Sequence, residues 1–487
     1  MKKLLVAAIM VVLATPAFAA IQNVKVSGDI TTSWLNDSNY DLGAQVLGVP
    51  QGQKYQNIFL TQTRLRVDAD LSDNVSTTVG LINERAWNSE QSYPVTTGAF
   101  GGINDTNVQL YLASVTLREF LYSPLTIQVG RQVFNYGNGF IMGDGGPDNY
   151  AGANLVSVYA DLTERTAYDG VKATLDYKPL TIDLMYFKNG QTLNSISGIY
   201  PTGAGGIGGK NNQSSDVYGY NMNYQLGDAM NTVFEQYTFA RINGVGIGGI
   251  TGAKGSTLYV PGLRASTNPI KGLNVQGEIA WQLGNVPMAS SLTGPSGQEA
   301  EHRDAMAAQF LASYALPVLD KYKPTVNASY TYVSGDKNSG ENYDGSAVKS
   351  AKTFTAWDEF NTIQGAGTIY RSIFLMTNEN ILSFGASVNP LEDVTAGVTW
   401  TGLWNAAPNS TQNPLILIQP NGSGASLTNG PKDAYWLGNE TDVNLTYNYT
   451  EDVTFGLTFG WFVPGDVFNA NNHDTATEAL ANVGVKF

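Results

Sequence analysis

Segment after segment of this chain alternates apolar and polar residues one by one. In 273–283, Leu273, Val275, Ile279, Trp281 and Leu283 share one face, and Asn274, Gln276, Glu278 and Gln282 share the other. In 453–463, Val453, Phe455, Leu457, Phe459 and Trp461 oppose Thr454, Gly456, Thr458 and Gly460. In 435–449, Leu437, Val443, Leu445 and Tyr447 oppose Glu440, Asp442, Asn444 and Thr446. A period of two is that of a β-strand with one face in an apolar medium and one in water. Repeated along a whole chain, it restricts the fold to all-β architectures. What separates a soluble barrel or sandwich from a membrane barrel is which face meets water.

Eighteen segments have about the length that a tilted transmembrane strand needs. They are 23–34, 58–71, 75–87, 108–120, 125–136, 165–177, 180–188, 217–226, 231–241, 257–266, 273–283, 303–315, 325–334, 380–388, 394–404, 435–449, 453–463 and 477–487. Short connections carry turn residues, as in Ser72-Asp73-Asn74, Lys178-Pro179, Gly227-Asp228-Ala229, Asn389-Pro390-Leu391-Glu392 and Thr450-Glu451-Asp452. The others are long and rich in Gly, Asn and Ser: 35–57, 88–107, 137–164, 189–216, 242–256, 284–302, 335–379, 405–434 and 464–476. Long and short alternate without exception. Membrane barrels have this asymmetry, with short periplasmic turns and long external loops. A soluble sandwich or β-helix has no reason to alternate so strictly. The expected fold is a single all-β transmembrane antiparallel barrel of about 18 strands, with both termini in the periplasm.

The N-terminus agrees. Lys2 and Lys3 form a charged region, residues 4–13 an apolar core too short to span a bilayer, and Ala17-Phe18-Ala19 a cleavage site. Residues 1–19 read as a secretory signal and 20–487 as the barrel. The last strand, Ala481 to Phe487, resembles the closing strand of bacterial outer-membrane proteins, whose terminal aromatic is read by the assembly machinery. The 26 Tyr, 8 Trp and 53 Gly suit interfacial girdles, turns and bulges. With no cysteine there is no disulfide, thiol chemistry or lipid acylation site. Without Lys2 and Lys3 the mature chain carries 25 Lys+Arg against 41 Asp+Glu, a net charge of −16. That sign opposes nucleic acid as a partner.

Gly130-Arg131-Gln132, followed by Tyr136-Gly137-Asn138, resembles the alginate-export family of outer-membrane porins. Arg165 with Tyr168-Asp169-Gly170, then Tyr332-Val333-Ser334-Gly335-Asp336, continues the pattern. Leu437 to Asp442 and Phe462-Val463-Pro464-Gly465-Asp466 resemble the family's closing segment. The resemblance implies an 18-stranded monomeric barrel and, by the family's name, export of a polyanion. Such a path needs a lining rich in Arg and Lys. Parity instead points Arg64, Arg66, Lys172, Arg264 and Arg303 inward together with Asp68, Asp70, Asp176, Asp183, Glu278, Glu440 and Asp442. Five cations against seven anions make a mixed lumen.

Arg131 and Asp169 share the parity of Val129 and Val171, which is the lipid face. A bulge at Gly130 and another at Gly170 would turn both inward to pair in the pore; the alternative is that both sit solvated above the lipid. The acidic stretches 336–344 and 143–148 are loosely like calcium loops but lack the closing glutamate, and read as solvated loops. His302 and His473 are the only histidines, and no nucleophile elbow, zinc-protease motif or haem-attachment motif is present. No cofactor or catalysis is expected. The expected function is passive diffusion of small polar or ionic solutes, in an envelope of outer-membrane lipid and lipopolysaccharide. Loop 335–379, with Trp357, Phe360 and Tyr370, and segment 137–164 are expected to fold inward as the constriction. Two rivals are a polyuronate exporter and a sheath around an electron-carrying partner. Acids in the long loops, Asp105, Asp144, Asp148, Asp336 and Asp358, predict weak cation preference or near neutrality.

Overall fold

In the computed structural model, residues 23–40, 42–43, 55–87, 108–143, 162, 164, 167–191, 214–243, 256–286, 301–335, 353–360, 362–373, 376–408, 416–417, 425–426, 433–468 and 473–487 are described. The strands in chain order are β1 (Asn23–Ser38), β2 (Tyr55–Ser72), β3 (Val75–Ala86), β4 (Gln109–Leu117), β5 (Leu125–Gln132), β6 (Tyr168–Asp176) and β7 (Leu180–Gln191). Next come β8 (Ser214–Gln225), β9 (Val233–Asn243), β10 (Ser256–Ile270), β11 (Leu273–Val286), β12 (Glu301–Ala315), β13 (Thr325–Val333) and the two-residue β14 (Thr353–Phe354). The rest are β15 (Glu379–Leu391), β16 (Val394–Asn405), the short β17 (Ile416–Leu417) and β18 (Ala425–Ser426), then β19 (Trp436–Asn448), β20 (Val453–Pro464) and β21 (Ala476–Lys486). One five-residue helix, α1 (Ile369–Ile373), precedes β15.

Without β14, β17 and β18, eighteen strands form one antiparallel sheet that closes on itself. Closure is the ladder between β1 and β21, from Asp29 opposite Lys486 to Ser38 opposite Thr477. It runs to the last residue, where Gly28 N–H donates to the Phe487 carbonyl at 2.8 Å and Phe487 N–H to the Gly28 carbonyl at 2.9 Å. A Cβ on Gly28 would lie 2.7 Å from the Phe487 ring, so glycine lets the terminal aromatic lie flat on the seam. In hydrocarbon every backbone N–H and C=O needs an internal partner, and a closed sheet supplies them all. No helix among the described residues is long and apolar enough to cross a membrane.

All eighteen expected strands are present, and the short and long connections alternate as the sequence indicates. Two turns differ. Asn389-Pro390-Leu391-Glu392 was expected as a connection, but β15 continues to Leu391, and β10 likewise runs beyond 266 past Pro269 to Ile270, with register irregularities between Val388 and Leu391 and between Thr267 and Ile270. Proline has no N–H for the ladder, so the strand passes it as a bulge and turns only after it.

The outer face is an apolar band exposed on every strand, including Val26, Leu65, Val79, Val129, Leu184, Leu263, Phe310, Val398 and Leu445. Aromatic pairs border it at both ends. Near the external ends lie Phe59 with Trp87, Tyr186 with Tyr218 and Trp404 with Trp436, their ring centroids 4.8, 4.9 and 4.9 Å apart. Near the periplasmic turns Tyr122 and Tyr177 join hydroxyls at 3.2 Å, and Tyr447, Tyr449 and Phe455 cluster. These are the two girdles of a membrane barrel.

Outer and inner parity therefore have opposite tolerances. Val398→Lys, on the outer face near the middle of β16, should cost about 2–4 kcal/mol, whereas Thr399→Lys on the inner face should cost far less. Urea unfolding from lipid vesicles measures both; equal costs would show that the faces are misassigned.

Candidate functional site

The buried apolar core of this protein lies inside the barrel, in its external half. Inner-face residues Met185, Phe187, Val217, Phe239, Val260, Ala280, Ala307 and Val333 are buried there, and so are Phe134, Phe140, Trp357, Phe360 and Tyr370 from two loops. Tyr168 and Phe134 stack on Phe187 at 4.5 and 4.7 Å, and Phe360 lies over Phe239 at 6.2 Å. Each large side chain buried this way contributes about 1.5–3 kcal/mol. The loops are held as part of the core.

The segment 353–373 is a strap across the lumen. It starts as β14, which runs parallel to the external end of β12, with Thr353 opposite His302 and Phe354 opposite Arg303. Asp358 then sits between two arginines of the wall, 2.5 Å from Arg241 Nη2 and 3.4 Å from Arg303 Nη2. Gln282 donates to the Asp358 carbonyl at 2.6 Å and accepts from its N–H at 2.9 Å, and Arg303 donates to the Ala356 carbonyl at 3.1 Å. Arg241 also lies over the Phe360 ring, 5.4 Å from its centroid. At the far end the wall residue Glu440 accepts from the N–H groups of Thr368, Ile369 and Tyr370 at 2.6, 2.8 and 2.8 Å. Asp442 accepts from the Thr368 hydroxyl at 2.9 Å, and the Tyr370 hydroxyl donates to Glu379. The strap thus runs from β9, β11 and β12 to β15 and β19.

A second loop meets it from the opposite wall. Ile363 N–H and the Thr362 hydroxyl donate to the Gly139 carbonyl at 3.1 and 3.0 Å, and Gln364 donates to the Asn138 carbonyl at 2.9 Å. Gly139 has φ +70°, and a Cβ there would lie 2.4 Å from Ile363, so the crossing requires glycine. Farther along the same loop, Glu164 reaches Arg64 at 2.7 Å, and its N–H donates to Glu84 at 2.8 Å. Burial pushes the Glu164 carboxyl up, against the downward pull of Arg64. The inward folding expected of 335–379 and 137–164 is therefore present in their described parts. The remainder, including both calcium-like stretches except Gly143, lies outside the described residues.

The inward charges come together in pairs that strand parity alone does not give. Arg64 binds Asp29 at 3.0 Å as well as Glu164, and Arg66 binds Asp68 at 2.8 Å. Asp70 approaches Arg118 at 4.0 Å, and Asp176 is 4.0 Å from Lys178, both near periplasmic turns. Arg264 forms a short ion pair with Glu235 and lies 4.0 Å from Glu278, whose other oxygen accepts from Tyr237 at 2.6 Å. Asp183 accepts from Thr174 at 2.5 Å, and Lys172 faces Gln128 and Met185 in its ladders. Arg303, Glu440 and Asp442 serve the strap. Parity places these residues and Gln282, but the sequence reading leaves out Asp29, Glu164, Glu235, Arg241 and Glu379, all of which take part. The signal for Glu235 and Arg241 is in the sequence, since they alternate with Phe234, Gln236, Thr238, Ala240 and Ile242.

Arg131 and Asp169 are corrected. They pair at 3.1 Å, but the ladders run through Gly130 and Gly170 with no register shift, so both keep the outer parity of Val129 and Val171. The glycines serve the local backbone instead: Gly130 has φ +118° and a Cβ on it would lie 2.1 Å from the Ala113 carbonyl, and one on Gly170 2.3 Å from the Tyr186 carbonyl. Next to this pair, Lys188 faces Asp169 across the ladder and binds Asp216, just above the Tyr186–Tyr218 contact. The four charges form a row on the outside, at the external end of the apolar band. Asp358 is corrected too, from a vestibule acid to the anchor of the strap. His302 and His473 are exposed, and no group of three or more metal-ligating side chains is gathered among the described residues.

The family model for alginate export matches residues 43–482. The chain belongs to the alginate-export family. Among solved structures it is similar to OccK1 (OpdK) of Pseudomonas aeruginosa, with TM-score 0.54 and 12% identity over 96% of this chain and 99% of that one. OccAB1 of Acinetobacter baumannii gives 0.53 and 12% over 97% and 98%, and OccK8 (OprE) of P. aeruginosa 0.52 and 12% over 96% and 98%. At such identities the likeness shows the fold, that of outer-membrane porins. Among curated proteins none matches the sequence.

The Asp358 clamp has a measurable consequence. Asp358→Ala removes the shared partner of Arg241 and Arg303, at about 1.5–3 kcal/mol for each lost charged hydrogen bond. In planar bilayers the variant should show higher single-channel conductance and more open-channel noise. Unchanged conductance in a folded, heat-modifiable barrel would mean that the Glu440 end holds the strap alone.

Proposed function

We propose that the barrel is a channel for passive diffusion of small polar and ionic solutes, with the strap setting its size limit and no chemical step. The observation that carries this reading is the strap itself, fixed at two walls inside a barrel too wide for its own side chains to fill. The residues that line the path are Arg64, Arg66, Asp68, Asp70, Lys172, Asp176, Asp183 and Arg264, while Glu278, Arg303, Glu440 and Asp442, expected beside them, are buried in the wall and under the strap. Most of the cations among them are matched to carboxylates, so the path is polar and locally charged but nearly compensated.

The family's description favours a second reading, export of a polyuronate. A polyanion path replaces water around many carboxylates with free guanidinium and ammonium groups. Here Arg64, Arg66, Arg264 and Arg303 already have acidic partners, which weighs against it. A sheath around an electron-carrying protein is disfavoured by the strap, which stands where such a partner would pass. The barrel works as a monomer in lipid and lipopolysaccharide, and Phe487 is the residue that its assembly machinery reads.

Two bilayer measurements test the proposal. Deleting 340–370 should raise single-channel conductance, and an unchanged value would place the constriction elsewhere. Under a KCl gradient at low salt the reversal potential should show weak cation preference or near neutrality, fading as the screening length shortens to about 8–10 Å near physiological salt. Strong anion selectivity would restore the polyanion reading.

A further inference from the structure

Among the described residues, nearly every cation on the inner face has an acidic neighbour. Arg64, Arg66, Arg241, Arg264 and Arg303 are ion-paired, and Lys25 stands opposite Asp68 across the β1–β2 ladder. Two cations are left over. Lys172 is on the wall, beside Met185. Arg371 is on the strap, in α1, and its guanidinium makes no hydrogen bond or ion pair.

The packing of the strap fixes where Arg371 stands. Ile369 and Tyr370 are fully buried: Ile369 is turned towards Gly460, and Tyr370 lies against Phe462, 5.6 Å between ring centroids. The backbone beside them is held by Glu440. The next residue on the helix points away from that wall, and Arg371 is exposed. A Cβ on Gly365 would come within 2.3 Å of the Arg371 Cβ, so glycine at 365 lets the arginine stem leave the strap towards open space. Of the strap's own acids, Asp358 is held by Arg241 and Arg303, and Glu359 accepts from the Met376 N–H at 3.3 Å.

We propose that Arg371 is the specificity-determining anion contact of the constriction: one free guanidinium, carried by the strap, in a lumen whose other described arginines are neutralised. The inference rests on the channel reading above and adds to it a solute class. A single guanidinium with five donors and no competing carboxylate suits a small monovalent anion, which can be held briefly and released. It does not suit a polyanion, which needs a succession of free cations. The pore as a whole stays near neutral because its fixed charges cancel. Arg371 then decides how readily an anion shares the passage with a cation.

The test uses the full-length protein in planar bilayers, with KCl as the only electrolyte and Arg371→Gln, Arg371→Lys and Lys172→Gln compared with the parent. One unit charge about 4 Å from an ion in water is worth roughly a fivefold change in occupancy. At low salt Arg371→Gln should therefore raise the potassium-to-chloride permeability ratio about fivefold with conductance little changed. Arg371→Lys should restore the parent ratio, and Lys172→Gln should move it much less. In 1 M KCl, where the screening length is about 3 Å, the differences should shrink. If the parent forms no channel, the functional reading fails. If it conducts and Arg371→Gln leaves the ratio unchanged, or Lys172→Gln gives the larger shift, this inference alone is overturned. A rise in conductance with an unchanged ratio would assign Arg371 a purely structural role in the strap, and also overturns it.

Discussion

Hydrocarbon offers a peptide group no hydrogen-bond partner, and the rest of this structure depends on that constraint. A sheet in such a medium cannot keep an edge, so β1 must find β21 across almost the full length of the chain. The seam is made to the last atom, with Phe487 and Gly28 exchanging both backbone hydrogen bonds. Closure with eighteen strands then creates a second problem. The interior is too wide to fill, and a protein of this size has no conventional core.

The strap solves part of it. Where 353–373 and 133–143 enter the lumen, the inner face turns apolar, and Phe187, Phe239, Phe360 and Trp357 make the only large apolar core among the described residues. Carboxylates and arginines of the wall then fix the ends: Asp358 between Arg241 and Arg303 at one, Glu440 on three successive N–H groups at the other. The same contacts that stabilise the external half of the barrel therefore define the constriction. Selectivity by size and stability of the fold are here one set of interactions.

Charge follows the same economy. An inward arginine in a narrow, partly dry space carries a desolvation cost unless it is paired, and Arg264 with Glu235 and Glu278, or Arg64 with Asp29 and Glu164, are such arrangements. Pairing keeps the wall polar while removing most of its preference for one sign. Among the described inner-face cations, what is left unpaired is Arg371 on the strap and Lys172 on the wall.

The class of fold, the strands and the alternation of long and short connections are legible in the chain alone, because period-two patterning and turn residues are local properties. Parity also places the charges of the clearest strands, Arg64, Arg264 and Glu440 among them. Parity is not partnership, however. That Arg64 meets Glu164, or that Asp358 bridges Arg241 and Arg303, depends on which strands become neighbours and on where a distant loop is anchored. In 180–191 and 233–243 apolar residues occur on both faces, and only the two inward loops explain why Phe187, under Phe134, and Phe239, under Phe360, point inward. Gly130 and Gly170 mark the limit most clearly. A glycine in a strand permits either a bulge or a close backbone approach, and the choice belongs to the neighbouring strand. Here the carbonyls of Ala113 and Tyr186 occupy the space, the register holds, and Arg131 and Asp169 stay outside.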